Sequence, residues 1–250
     1  MHCLIRRSLR SGQSHSHIGL ALAFKLNLFI IKSINTSAGD TTLKTRAYNI
    51  ETRRKQQAAL KAGIAAAAVE LHAAKGAIAT SYADIARHAG VSLPTVYKHF
   101  PTMHELLQGC TSHVIAEAPQ FPAEEILAAP DLPAASELLV AAMEQQHLHF
   151  EPWFTWREDR VLPYLAELTD GFRELQSVFV AKLLARHLGK GVRREIIAGW
   201  ESVLSFDLWH RLVRSHGLSR PVARRVLVQM LLAVIEPAPT FPSTTGSRRK

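Results

Sequence analysis

The sequence predicts an all-α fold in two helical parts. Residues 80–107 read as two short helices around a glycine corner, followed by the start of a third helix. From residue 134 onward, apolar residues recur at helical spacing in four long segments, without the alternation that marks β-strands. A proline-rich stretch at 119–133 separates the two parts. We therefore expect an N-terminal three-helix unit containing a helix-turn-helix, and a larger C-terminal helical domain.

The ends of the two short helices are marked by residues that stabilise helix termini. Ser81 can cap the first helix by accepting a bond from an unpaired backbone N–H, and Gly90 can adopt the left-handed conformation that ends it. Ser92 can cap the second helix, and Pro94 falls in its first turn, where proline is tolerated. These signals predict a tight corner between two helices.

The second short helix has one apolar face and one polar face. Val96 and Phe100 are four residues apart and are expected to pack inward. The outward positions carry a hydroxyl, a phenol, an ammonium and an imidazole, which suit phosphate oxygens and base edges. These positions are Thr95, Tyr97, Lys98 and His99.

This run resembles the DNA-binding domain of the tetracycline-repressor (TetR) family of bacterial transcription regulators. The resemblance covers about residues 53–111. The segments that carry it are Ala79-Thr80-Ser81, Asp84-Ile85-Ala86, Ala89-Gly90-Val91-Ser92, Thr95-Val96-Tyr97, His99-Phe100-Pro101 and Leu106, with residues 66–76 as the first helix.

The resemblance implies a set of DNA contacts. The residues expected to hold DNA are Ser81, Ser92, Thr95, Tyr97, Lys98 and His99; Tyr82, Leu93 and Pro94 are expected near base edges, where apolar groups can meet thymine methyl groups.

Three positions depart from the family pattern. His72 stands where a core Phe is usual, Met103 stands where a phosphate-contacting Lys is usual, and Leu93-Pro94 replace basic and small residues. The last two departures should weaken phosphate binding or move it elsewhere, but they do not argue against the fold.

Charge is concentrated ahead of the predicted DNA-binding domain. The 250 residues carry a formal net charge of +9. Residues 1–60 hold ten Lys and Arg against Asp40 and Glu51, which favours either a basic arm along DNA or a solvated tail.

Only Cys3 and Cys110 occur, so the sequence predicts no disulfide framework and a cytoplasmic protein. Enzyme motifs such as a Gly-rich phosphate loop, GxSxG or HExxH are absent, so we expect neither an enzyme nor a cofactor.

The pattern predicts four segments: an extension at 1–48, a DNA-binding domain at 49–118, a helical effector-binding and dimerisation domain at 119–236, and a disordered tail at 237–250. The extension has arginines before an apolar stretch at 18–31, an order that resembles a signal peptide. Lys25 interrupts that stretch, and it is too short to span a membrane. We interpret residues 1–45 as a start-site over-call or a weakly structured arm, with an interfacial membrane anchor as the alternative.

The helices of the second domain are expected at 134–150, at 153–188 with breaks near Pro163 and Gly171, at 193–216 and at 221–235. The last two are more apolar than one buried face requires, which favours a homodimer formed through them. The alternative is that these apolar residues fill an internal core.

An effector pocket for an apolar or aromatic small molecule is implied by the resemblance and not by a motif. Its expected residues are His147, Phe150, Trp153, Phe154, Trp156, Trp200, Phe206 and Trp209, although aromatic residues also commonly fill cores. Glu144 and His147 share a helix face with metal-ligand spacing, but no matching pair occurs elsewhere, so no metal is expected.

The sequence therefore predicts a ligand-responsive repressor that binds a near-palindromic DNA operator as a homodimer, with no membrane partner. The alternative is a helical protein-interaction or membrane-associated module that has lost DNA affinity.

Overall fold

The computed structural model describes the backbone of residues 44–235 and the side chains from Ile50 onward. Across this range the chain forms helices and connecting turns and no β-strand, which confirms the all-α prediction. The expectations for residues 1–43 and for residues 236–250, including the basic arm and the tail, lie outside the described residues.

Ten α-helices occur between residues 44 and 235. They are α1 (Lys44–Lys75), α2 (Tyr82–His88), α3 (Leu93–His99), α4 (Met103–Ala116), α5 (Ala123–Ala128), α6 (Leu132–Phe154), α7 (Pro163–Leu188), α8 (Arg194–Val203), α9 (Phe206–His210) and α10 (Arg220–Ala233). A 3₁₀ turn at Glu158–Arg160 precedes α7, and a π-helical turn at Arg211–Ser215 follows α9.

The chain divides into two compact units. In the described residues, the first unit contains the chain up to Gln120 together with Gln145–Val178, and the second contains Phe121–Glu144 and the chain from Phe179 onward.

The first unit is built around the helix bundle that contains the predicted helix-turn-helix, the helix pair α2 and α3, which we call the reader. Helix α1 packs against α4 and α2, and α2 packs against α3. A Cβ atom on Gly109 of α4 would lie 2.8 Å from the Phe100 ring, so only glycine permits this close approach. The buried side chains of the core are Ile64, Ala65, Ala68, Ile85, Ala86, Val96, Phe100, Leu106 and Cys110.

The second unit is organised by the contact between α8 and α10. A Cβ atom on Gly199 would lie 2.7 Å from Val234 Cγ1, which shows how closely these segments approach. The fully buried Glu144 carboxylate pairs with Arg220 at 3.2 Å and with Arg224 at 3.5 Å. Glu144 is thus engaged with two guanidinium groups, which compensates much of the cost of burying its charge.

Some expected helix boundaries were wrong. The helix expected at 193–216 is divided, because α8 ends at Val203 and the Ser205 hydroxyl caps a new helix by accepting the Leu208 N–H. Gly171 does not break α7, which is continuous from Pro163 to Leu188. The proline-rich stretch at 119–133 contains the short helix α5, which begins just after Pro122.

No helix among the described residues combines the length and the apolar character that a membrane crossing requires.

Candidate DNA-binding surface and ligand cavity

The corner between α2 and α3 is fixed by local hydrogen bonds. Ser81 Oγ accepts the Asp84 N–H at 3.1 Å, and the Asp84 carboxylate accepts the Ser81 N–H at 3.2 Å, so the two residues form a capping box. Gly90 has φ +66°, the left-handed conformation expected after α2. Ser92 Oγ accepts the Thr95 N–H at 3.3 Å and lies 2.7 Å from Thr95 Oγ1. These contacts confirm the predicted helix ends.

Helix α3 turns its apolar face inward and its polar face to solvent. Val96 is fully buried, and Phe100 directly after the helix is almost fully buried. The Tyr97 side chain is 51% exposed, and Lys98 is exposed. Among the described residues no carboxylate pairs with Lys98, so its ammonium is available to a phosphate.

The remaining predicted contacts differ in accessibility. Ser81, Ser92, Leu93 and Pro94 are exposed, while Tyr82, Thr95 and His99 are half-buried.

Tyr82 and Tyr97 pair across the corner. Their ring centroids lie 4.7 Å apart with the planes tilted by 42°. The Tyr82 hydroxyl is buried without a hydrogen-bond partner, and its burial raises the pKa of Tyr82. Tyr82 therefore presents its ring and not its hydroxyl, and the ring supports the exposed Tyr97.

Asp84 links the capping box to the end of α1. Lys75 Nζ lies 2.8 Å from Asp84 Oδ2, and Arg87 Nη1 lies 3.1 Å from Asp84 Oδ1. Hydrogen bonds from Lys75 and Ser81 hold the pKa of the Asp84 carboxyl well below its usual range. Asp84 thus stays ionised and connects α1 to α2.

A cavity of about 100 Å³ lies within the first unit. It is lined by side chains from α1, α4, α6, the 3₁₀ turn and α7. Aromatic and aliphatic groups make most of its wall, among them Phe150, Trp153, Phe154, Phe172, Leu107, Val114, Ile115, Leu165 and Leu168. A largely apolar cavity with few polar groups is typical of small-molecule sites.

Glu158 joins this cavity to the segment that leads into the reader. It lines the cavity, and its carboxylate accepts the Ala77 N–H at 2.8 Å and the Ile78 N–H at 2.7 Å. The indole N–H groups of Trp153 and Trp156 donate to the Val69 and Ala73 carbonyls of α1, at 3.2 and 3.1 Å. These bonds tie residues 153–158 to the last turns of α1 and to the segment before α2.

His72 on α1 also lines the cavity. Its side chain is buried, and its Nε2 has no hydrogen-bond partner. Burial lowers the pKa of His72 to about 4, although the nearby Glu158 charge acts in the opposite direction. His72 is therefore neutral at pH 7.

Cys110 contributes a thiol to the same cavity. Its Sγ donates to the Ala65 carbonyl at 3.7 Å, and burial raises the pKa of the thiol to about 12. Cys110 is consequently a protonated, unreactive wall group.

Part of the helix bundle formed by α1 to α4 matches a known protein family. Residues 64–110 match the family described as bacterial regulatory proteins, tetR family. This segment of the chain is therefore similar to the tetR family of bacterial regulatory proteins. This matched segment includes all of α2 and α3 and more than half of α4. It lies within residues 53–111, the stretch over which the sequence resembles the TetR family.

Two further proteins are similar to the chain. The HTH-type transcriptional regulator LuxR of Vibrio harveyi is 28% identical over 108 residues, which are 42% of this chain and 50% of LuxR. The chain thus spans about half the length of this curated relative. The crystal structure of the multidrug binding protein EbrR complexed with imidazole aligns with a TM-score of 0.46 at 20% identity, over 76% of this chain and 93% of the EbrR chain.

Three of the eight predicted pocket residues line the cavity: Phe150, Trp153 and Phe154. The other five lie elsewhere. His147 is buried, Trp156 is 43% exposed, Trp200 and Trp209 are fully buried in the second unit, and Phe206 contacts Trp209 and His210.

Two polar residues of the cavity were not among the predicted site residues. His72 could have been found, because it departs from the TetR-family pattern at a core position. Glu158 had no signal, because its partners lie about 80 residues earlier in the chain.

Proposed function

We propose that the chain is a DNA-binding transcription regulator, acting as a ligand-responsive repressor that binds a near-palindromic operator as a homodimer in the cytoplasm. The observation that carries the proposal is the exposed face of α3, where Tyr97 and Lys98 point to solvent directly after a capped glycine corner. The matched TetR-family segment contains the whole of this corner.

The residues of this face divide between two roles. Lys98, Tyr97 and the exposed hydroxyls of Ser81 and Ser92 are suited to phosphate oxygens, which position the protein without reading sequence. Thr95 and the exposed Leu93 and Pro94 at the start of α3 are suited to base edges and thymine methyl groups. This division supports DNA contacts by residues 81–99 within a DNA-binding domain at about 49–118.

The apolar residues of α10 support the homodimer. Ala223, Leu227 and Leu231 are buried within the second unit. The neighbouring stripe of Val222, Val226 and Met230 stays partly or fully exposed. An exposed apolar stripe beside a buried one favours association with a second copy of the chain. A twofold dimer would place its two α3 helices one DNA turn, or a multiple of it, apart.

The cavity supports the ligand response. It is apolar, it includes Ala77 in the segment leading to α2, and it includes Glu158, which bonds that segment. A ligand that prefers one arrangement of these groups would shift DNA affinity by its differential binding, typically about 1–3 kcal/mol.

A gel shift tests the proposal. The purified protein is titrated onto the DNA that flanks its own gene and onto random DNA of equal length, at low and at moderate salt. We expect tight binding to the flanking DNA that weakens as salt rises, because phosphate contacts release counterions. Equal affinity for both DNAs at every salt concentration would contradict a specific operator beside the gene.

One observation favours the alternative of an interaction module without DNA affinity. Met103, at the start of α4, is exposed where a cation would serve a phosphate. The low-salt titration separates the two functions, since a module of that kind binds neither DNA.

A further inference from the structure

The wall of the cavity includes His72, a residue whose Nε2 atom the protein itself leaves without a hydrogen-bond partner. His72 is 96% buried, and its Nε2 has no partner. A buried polar nitrogen without a hydrogen bond is destabilising because it has lost its bonds to water, so such atoms are uncommon in folded proteins. The position is also one where the resemblance predicts an apolar Phe.

The other polar side chains around the cavity are engaged. Glu158 accepts two backbone N–H groups, and Trp153 donates to the Val69 carbonyl. Thr111 bonds the Leu107 carbonyl and the Tyr164 hydroxyl, while Thr169 donates to the Leu165 carbonyl. Cys110 donates to Ala65, and Asp159 pairs with Arg157 at 3.7 Å. The imidazole of His72 is therefore the group best placed to bind something else.

The charges around the cavity select against ionic ligands. Its lining includes two carboxylates, from Glu158 and Asp159, and no Lys or Arg. An anion would meet these carboxylates, and the guanidinium of Arg157, which is not part of the lining, is already paired with Asp159. A cation would compete with the backbone N–H groups and the guanidinium that already hold them. His72 is neutral at pH 7, so it offers a hydrogen bond and no charge.

The size and wall of the cavity limit the ligand further. Its volume is about 100 Å³, and Phe150, Trp153, Phe154 and Phe172 supply aromatic wall groups. An apolar protein cavity of about 150 Å³ holds benzene, so this smaller cavity limits the ligand to at most one small ring.

We propose that this cavity binds an uncharged, single-ring apolar ligand bearing one hydroxyl group, and that His72 Nε2 is the hydrogen-bonding partner of that hydroxyl. This proposal rests on the ligand response proposed above and specifies its ligand class. The ligand would contact α1 and lie beside Ala77, so it would touch the segment that leads into the reader directly.

Four single-ring compounds test the ligand class by calorimetry without DNA. Phenol carries the hydroxyl, benzene lacks it, and benzoate and benzylammonium add a negative or a positive charge. We expect phenol to bind about tenfold more tightly than benzene, because one net hydrogen bond contributes about that factor. Benzoate and benzylammonium should bind more weakly than phenol. Equal affinities for phenol and benzene, stronger binding of either ion, or no binding at all would overturn the proposal.

Two variants test the role of His72. His72→Phe should remove the preference for phenol over benzene, and the matched control Thr169→Val, which alters a polar wall residue already bonded to its own helix, should keep it. A preference that survives in His72→Phe would overturn the assignment.

A measurement on the unaltered protein keeps the proposal testable if His72→Phe fails to fold. Phenol should shift the ¹⁵N resonance of His72 Nε2, and benzene should leave it nearly unchanged; no difference between them would contradict the hydrogen bond. Because DNA is absent from these titrations, their failure leaves the gel-shift result untouched, and a failed gel shift leaves these results untouched.

Discussion

The Glu158 carboxylate binds the backbone of Ala77, 81 residues earlier in the chain, at 2.8 Å. Its other oxygen accepts the Ile78 N–H at 2.7 Å. Ala77 and Ile78 lie between the end of α1 and the capping box at Ser81. One side chain therefore faces the cavity and also holds the segment that positions the reader, which gives ligand binding a short physical route to α2.

Replacing this carboxylate should destabilise the first unit. Glu158→Ala removes two charge-assisted hydrogen bonds and leaves the buried Ala77 N–H without an acceptor, so we expect a loss of about 2 kcal/mol in the free energy of unfolding. Urea unfolding measures the change. Glu167→Ala, which removes an exposed glutamate on α7, is the matched control, and equal stability of the two variants would show that the Glu158 contacts contribute nothing.

Replacement by alanine should have opposite effects on stability at Gly76 and at Gly171. Gly76 has φ +82°, and a Cβ atom there would lie 2.7 Å from Glu158 Oε1. Gly76→Ala should therefore lower the stability by about 1–2 kcal/mol. Gly171 is an ordinary helical glycine with nothing within 4 Å of a built Cβ, so Gly171→Ala should stabilise the protein by up to about 1 kcal/mol. Urea unfolding of the two variants measures both effects. If both substitutions raise the free energy of unfolding, or both lower it, the predicted difference between the two glycines is wrong.

His72 should make the stability depend on pH. In the unfolded chain its pKa is near 6.5, whereas in the fold its pKa is about 4. Between these values the unfolded chain binds a proton that the fold excludes, so stability falls as the pH is lowered from 6.5 to 4. The loss from this one group is about 3 kcal/mol.

Urea unfolding across that pH range measures the effect, and His72→Phe should flatten the curve. The same substitution at the exposed His216 is the control and should leave the pH dependence as it is. If His72→Phe leaves the pH dependence unaltered, burial in the fold does not lower the pKa of His72 as described.

The open stripe of α10 predicts a variant that separates the two copies. Val226→Glu places a charge in the middle of the stripe formed with Val222 and Met230, and burying it in an interface would weaken the dimer at least about a hundredfold. Gln229→Glu adds the same charge at an exposed position and should not weaken the dimer. Sedimentation velocity over a concentration series measures both; a monomeric unaltered protein, or a Val226→Glu variant as dimeric as the control, would count against this interface.

The reader could be predicted from sequence because its determinants are local. Ser81, Gly90 and Ser92 act within three or four residues of their own position, so spacing alone locates the two short helices. The break after Val203 was missed because apolar residues continue at helical spacing through Leu208, and a single capping serine, Ser205, overrides that pattern.

The cavity could be predicted only in part. Phe150, Trp153 and Phe154 cluster in the sequence and line the cavity together, whereas Trp200 and Trp209 are equally aromatic and fully buried in the second unit. The presence of aromatic residues in a segment does not show whether they line a cavity or fill a hydrophobic core. Glu158 acts on backbone groups far away in the chain, and no sequence period encodes such a contact.

The central claim is that α3 binds DNA through its exposed face, and the salt dependence of DNA affinity with and without Lys98 tests it most directly. Affinity is measured by fluorescence anisotropy from low to moderate salt for the unaltered protein, for Lys98→Ala and for Lys182→Ala, which removes an exposed lysine of α7 in the second unit. We predict that Lys98→Ala weakens binding to all DNA and lowers the slope of log affinity against log salt by about 1, while Lys182→Ala changes neither. An affinity unchanged by Lys98→Ala at low salt, or one lowered equally by both variants, would contradict the docking of α3 on DNA.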